Sequence, residues 1–157
     1  MAIRYWKEKQ IFSIDTKNTT YQMKVDSCGF LLHLYYGAKV NGAMDYLLTY
    51  ADRGFSGNPA EAGADRTYSL DVLPQEYPTW GTGDYRNAAL LIQNADHSES
   101  CKLQYAGHTI KKGKYNLSGL PAVYAEENEA ETLEIYMEDC VSNLKVTLLY
   151  GVVEQLD

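Results

Sequence analysis

Two neighbouring segments near the C-terminal end alternate apolar and polar residues with a period of two, and this pattern constrains the chain more than any other. Across 132–139, Leu133, Ile135 and Met137 share one face while Glu134, Tyr136 and Glu138 share the other. After Val141, Ser142 and Asn143, the stretch 144–153 repeats the period, with Val146, Leu148, Tyr150 and Val152 in phase. Successive side chains of a β-strand point to opposite faces, so the spacing predicts two half-buried strands. The short polar break between them predicts a hairpin.

The same rhythm recurs upstream. Ile11, Ser13 and Asp15 alternate with Phe12 and Ile14, and Tyr21, Met23 and Val25 alternate with Gln22 and Lys24. Asp26-Ser27-Cys28-Gly29 supplies turn chemistry before a Leu- and aromatic-rich run over 30–36 that Gly37 ends. Strands are also expected at 88–93 and 102–105, split by a polar turn over 94–98, with a further extended piece over 108–112. No long helical period is present; 45–50 and 59–64 predict one helical turn each. Many short strands with turns between them predict an all-β, antiparallel sandwich forming one domain over residues 1–157. Between 52 and 87 the rhythm lapses, and Gly54, Gly57, Pro59, Gly63, Pro74, Pro78, Gly81 and Gly83 punctuate the stretch. Tyr68, Leu70, Val72, Leu73, Tyr77 and Trp80 make it too apolar for disorder, so one long structured loop packed on something is expected.

Composition narrows the functional classes. With 45% hydrophobic residues the chain can bury a real core. Its 14 Lys and Arg against 21 Asp and Glu give a net charge of -7, which repels a phosphate backbone and argues against nucleic acid. No apolar run approaches the roughly 18 residues of a membrane-spanning helix, and no signal peptide is visible, so no membrane partner is expected. Cys28, Cys101 and Cys140 are odd in number and far apart, matching neither a disulfide framework nor a zinc spacing; they read as reduced thiols of a cytoplasmic protein. The pattern breaks off at Asp157 without a polar tail, which predicts a chain cut from a longer one. Nucleophile-elbow, zincin, P-loop and dinucleotide motifs are absent, and no metal or cofactor is expected. His33, among Leu32, Leu34 and Tyr35, reads as structural, and the acidic run over 126–131 reads as a solvated loop.

The long loop concentrates the interesting groups: Asp52-Arg53, Asp65-Arg66, then Trp80, Asp84 and Arg86. An Arg fork grips two hydroxyls or a carboxylate, an Asp accepts two hydroxyl hydrogens, and an aromatic face stacks on a sugar ring. For Trp80, Asp84 and Arg86 a second reading stands beside ligand contact, namely bracing the loop internally.

At this loop the chain resembles the bacterial retaining α-galactosidases of glycoside hydrolase family 36. Asp52-Arg53-Gly54-Phe55-Ser56-Gly57-Asn58-Pro59 is similar to their "DRAFSPNP", and Gly83-Asp84-Tyr85-Arg86 to their "GDFR". The segments 65–71 and 73–78 match those that lie between these motifs, 108–114 with 119–122 matches "HRIxKGKPxLxGLPATY", and 131–135 matches "AETLEI". Leu32-His33-Leu34-Tyr35-Tyr36-Gly37 fits as well, so the resemblance spans essentially the whole chain. It implies a β-supersandwich N-terminal domain of galactose-mutarotase type, followed in the whole enzyme by a (β/α)8 barrel that holds both catalytic aspartates. A barrel needs about 250 residues, so the resemblance assigns this chain no catalytic residue and no activity of its own. It places Asp52 and Arg66 at the mouth of the galactoside pocket, in a homotetramer whose subunits complete one another's clefts. Gly54 and Gly57 stand where Ala and Pro are usual, and Tyr68, Trp80 and Tyr85 replace other aromatic residues while keeping a ring. A stand-alone, lectin-like carbohydrate-binding module is the alternative.

Overall fold

In a computed structural model of the chain, residues 1–52, 54 and 57–157 are described. Arg53, Phe55 and Ser56, and with them the expectation that Arg53 helps to open the loop, lie outside the described residues.

The alternating segments form two antiparallel sheets. The first, in spatial order, comprises β1 (Ile3–Trp6), β2 (Ile11–Asp15), β3 (Thr19–Val25) and β4 (Leu31–Ala38). The second comprises β5 (Gln104–Lys112), β6 (Ala130–Glu138) and β7 (Lys145–Val153). Each sheet turns one set of alternating side chains inward. Ile3, Phe12, Ile14, Met23, Val25 and Leu31 of the first pack against Leu133, Ile135, Met137 and Val152 of the second, with Leu103 between. The expected sandwich is the fold observed. At the β6–β7 hairpin, the Asp139 carboxylate accepts the Val141 N–H at 3.0 Å and the Ser142 hydroxyl at 2.9 Å, and Asn143 takes a left-handed φ of 59°.

Three local expectations are corrected. The strand β1 was not anticipated, because four residues are too few to display a period. Residues 88–93 form no strand: Leu90 makes a single isolated bridge to Thr79, and Leu90 and Ile92 pack on the core from the side. The pieces at 102–105 and 108–112 are one strand, β5, whose register shifts between Tyr105 and Gly107. A bulge of this kind inserts one residue and breaks the alternation on which sequence reading depends. The two helical turns appear as 3-10 turns over Asp45–Leu47 and Ala60–Ala62.

The outer face of the first sheet is also covered. All five residues of β2 are buried. Gln22, with no exposed surface, donates to the Gly42 carbonyl at 2.9 Å and accepts the Met44 N–H at 3.0 Å, so the segment after β4 seals this face with polar contacts. Further along, β4 divides its neighbours: Leu31 enters the main core, while Leu32 joins Cys28, Phe30, Tyr68, Leu70 and Leu73 in a second cluster beneath the long loop. The β3–β4 turn is tied to this cluster by Asp26, whose Oδ1 accepts the N–H groups of Cys28 and Phe30, each at 2.9 Å, and whose Oδ2 accepts the Tyr68 hydroxyl. Gly29, at φ 83°, closes that turn in a conformation disfavoured for other residues.

Between the sheets, His108 lies 4.3 Å from the Tyr5 ring and 4.8 Å from the Phe12 ring, and its Nδ1 is 2.6 Å from the Tyr105 hydroxyl. Burial pushes its pKa below the ordinary histidine value. The unfolded chain therefore takes up a proton near pH ~6.5 that the folded one resists, so stability falls as pH drops through that value. Urea midpoints measured from pH 7.5 to 5 are expected to decline, and His108→Gln to flatten the decline. Leu133 has no exposed surface, and Leu133→Ala is expected to lower unfolding free energy by about 2–5 kcal/mol in the same assay.

Candidate functional site

The structure brings together two of the residues singled out from sequence. Arg66 Nη2 lies 3.2 Å from Asp52 Oδ1, which also accepts the Gly54 N–H at 2.7 Å. Both side chains face solvent, with relative exposures of 68% for Arg66 and 51% for Asp52. An ion pair so exposed contributes little to stability, about 0–1 kcal/mol. Its geometry is set instead by the loop around it. Asn58 Nδ2 donates to the Asp65 carbonyl at 2.8 Å, tying the outgoing and returning arms together. The Asp65 carboxylate accepts the Thr67 hydroxyl and N–H at 2.7 and 2.8 Å, and the Thr67 bonds hold its pKa below the usual range. Tyr68 and Leu70 then plunge into the second cluster. An outward carboxylate beside an outward guanidinium offers acceptors and a donor fork to one ligand, a combination suited to adjacent hydroxyls.

Asp84 and Arg86 take the internal reading. Asp84 is 3% exposed, and its two oxygens accept four hydrogen bonds. Oδ1 takes the Arg86 N–H at 3.0 Å and its Nε at 2.8 Å. Oδ2 takes Gln75 Nε2 at 2.8 Å and Arg86 Nη2 at 2.7 Å. No acceptor remains on Asp84 for a ligand hydroxyl in this arrangement. Arg86 Nη2 also donates to the carbonyls of Leu70 and Leu73 at 2.8 and 2.7 Å, so the pair braces the loop from inside. Burial pushes the Asp84 carboxyl up, but the bonds from Arg86 and Gln75 outweigh it and hold the pKa below the ordinary value. Trp80 is 42% exposed, and its carbonyl accepts the Cys101 N–H at 2.9 Å. Among the described residues, no hydrogen bond or ion pair joins it to Asp52 or Arg66.

Sequence reasoning missed Glu76. Its backbone N–H donates to the Leu31 carbonyl at 2.9 Å, while Oε1 accepts the hydroxyls of Tyr21 at 2.6 Å and Tyr150 at 2.8 Å. His33 Nδ1 lies 3.6 Å from Oε2. Burial first, and then the Glu76 carboxylate, push both phenols far above their ordinary range, so both remain protonated donors. Glu76 thereby fastens the loop to β3 and β7, one strand from each sheet. Partners 55 and 74 residues away leave no local pattern to read. Among the described residues, no group of three or more His, Cys, Asp or Glu side chains is arranged to hold a metal.

Removing Arg86 strands a buried carboxylate. Arg86→Ala is expected to lower unfolding free energy by about 2–3 kcal/mol, and the double change with Asp84→Leu to cost less than the single one; chemical denaturation of the three proteins checks both expectations.

Comparison with known proteins agrees with this architecture. Residues 29–157 match the model of the glycosyl hydrolase family 36 N-terminal domain. Over all 157 residues the chain is 61% identical to the bifunctional alpha-galactosidase/sucrose kinase AgaSK of Mediterraneibacter gnavus, of which it covers 17%. The solved galactosidase domain of AgaSK superposes with a TM-score of 0.95 over 98% of this chain and 21% of its own. The crystal structure of the alpha-galactosidase AgaB from Geobacillus stearothermophilus is 41% identical, with a TM-score of 0.90 over 99% of this chain and 21% of its own. A variant of AgaA from the same organism, solved in complex with raffinose, is also 41% identical, with a TM-score of 0.86 over 92% of this chain and 20% of its own. The chain thus spans about a fifth of the length of these relatives. In sequence along 29–157 and in fold along nearly its entire length, this chain belongs to the glycosyl hydrolase family 36 N-terminal domain family.

Proposed function

We propose that residues 1–157 are the N-terminal, non-catalytic domain of a retaining α-galactosidase, and that the domain supports the catalytic barrel and lends its long loop to the substrate pocket. The substrates are terminal α-galactosides such as melibiose and raffinose-type oligosaccharides. The single observation that carries this reading is the outward pairing of Asp52 with Arg66 on a loop anchored from beneath. Neither group is needed to hold the fold, and together they present acceptors and donors that match a sugar's adjacent hydroxyls. Relatives solved with raffinose and with stachyose support the substrate class.

Retaining hydrolysis requires two carboxyl groups about 5–5.5 Å apart across the glycosidic bond. Asp52 faces a guanidinium, and Asp84 is sealed within the loop. Bond cleavage is therefore assigned to the barrel, and this domain contributes orientation and affinity. The site is completed in a cytoplasmic homotetramer, where loops of neighbouring subunits close the pocket.

In the full-length enzyme, Asp52→Ala and Arg66→Ala are each expected to lower kcat/KM for melibiose and raffinose about 10- to 100-fold, the loss of one charge-assisted hydrogen bond to a hydroxyl. Thermal midpoints should stay within about a degree or two of the parent, because the pair is exposed. Unchanged galactoside kinetics in both variants would remove the pocket assignment.

A further inference from the structure

Asp52 and Arg66 do not line the depressions around the loop's other end. Two adjoining hollows, each of about 380 Å³, run between the turn at 57–59, the turn at 81–85, residues 94–102 and the β6–β7 turn. They share Ser100, Lys102 and Val141 as a common wall. Each alone falls within the size range of small-molecule sites, and end to end they suit an elongated ligand.

The chemistry of the lining selects the ligand class. Among the described residues, the charged side chains of the lining are Lys102, Asp96 and Asp139, and only Lys102 has an oppositely charged partner. Lys102 Nζ lies 2.5 Å from Glu61, Asp96 accepts the Ser98 N–H and hydroxyl at 3.0 and 2.7 Å, and Asp139 is committed to the β6–β7 turn. Among the described residues, a phosphate or carboxylate ligand therefore meets two carboxylates and no unmatched cation. The wall mixes apolar surface with the hydroxyls of Thr82, Ser98, Ser100 and Ser142. Among the described residues, the lining holds one aromatic ring, Tyr85, which is 73% exposed. Its hydroxyl end lies beside the Gly57 backbone, where a Cβ would come 3.7 Å from the Tyr85 hydroxyl, and most of the ring is left to solvent. Next to it the backbones of Gly57 and Gly83 approach closely: a Cβ on Gly83, held at φ 86°, would collide with the Gly57 carbonyl oxygen. An exposed aromatic ring beside mixed apolar and hydroxyl-bearing surface, with two carboxylates that repel anions, is complementary to an uncharged polyhydroxyl ring, whose C–H faces and hydroxyls match both kinds of surface.

We propose that this trough is a second carbohydrate-binding position, taking neutral oligosaccharides along the line from Gly57 to Asn94, with Tyr85 stacking on a sugar ring. It is separate from the Asp52–Arg66 pair, neither of which lines it.

The test is a titration of the isotopically labelled 157-residue chain with stachyose, a neutral tetrasaccharide, followed by amide chemical shifts, with inorganic phosphate as the charged control. The expected result is saturable shifts confined to 81–85, 98–102 and 141–142, and none with phosphate. Tyr85→Ala is expected to weaken stachyose binding about three- to tenfold, a loss equal to one aromatic stacking contact. Val141 is 84% exposed, so Val141→Glu should obstruct the shared wall and weaken binding without disturbing the fold. Asp52→Ala should leave this binding unchanged, which separates the trough from the pocket-edge reading. Absence of shifts with stachyose, equal shifts with phosphate, or undiminished binding by both Tyr85→Ala and Val141→Glu would overturn the proposal.

Discussion

Burial of the first half of strand β4, residues 31–34, on both faces is the constraint on which the rest of the structure depends. Leu31 enters the core between the sheets, while its neighbour Leu32, also fully shielded, lies under Tyr68, Leu70 and Leu73. Backbone bonds follow the side chains: the His33 N–H reaches the Pro74 carbonyl at 2.7 Å, and the Glu76 N–H reaches the Leu31 carbonyl at 2.9 Å. Ordering an irregular segment costs backbone entropy at every residue. The second apolar cluster, with the hydrogen bonds of Asp26, Glu76 and Asp84, offsets part of that cost and ties the stretch to the strands. The position of Asp52 beside Arg66 is a consequence of that docking.

Three acidic side chains of the loop and its anchors contrast with Asp52. Asp26, Glu76 and Asp84 are shielded and meet donors from distant strands or from across the loop: Tyr68, the Tyr21–Tyr150 pair, and the Arg86–Gln75 pair. Burying a carboxylate is tolerated only with such partners, and these three act as fasteners. Asp52 faces solvent beside Arg66, in an exposed pair that contributes little to stability. The residues that fasten the loop are thus distinct from this outward pair.

The strands were legible to different degrees, for identifiable reasons. The β6–β7 hairpin could be read almost residue by residue, because each strand buries one face and exposes the other. Strand β1 is too short to show a period, and the bulge in β5 interrupts one. Residues 88–93 imitate a strand because Leu90 and Ile92 are both drawn to the core, yet no neighbouring strand is there to pair with them. Asp52 and Arg66 stand out through the family resemblance, while Trp80, Asp84 and Arg86 leave ligand contact and internal bracing both open, because their residue types suit either. Glu76 could not be found at all, since its partners lie on three different strands.

By itself, the sequence determined the strand period, the inward face of most strands, the turn at Gly29 and the need for the long loop to pack. These follow from steric and solvation preferences that act within a few residues. Only the tertiary structure decided what the loop packs against, which acids are sealed and which stay open. It also decided that the Gly57 and Gly83 backbones approach closely. Each of those outcomes depends on groups brought together from distant parts of the chain, where contact geometry rather than local preference sets the free energy.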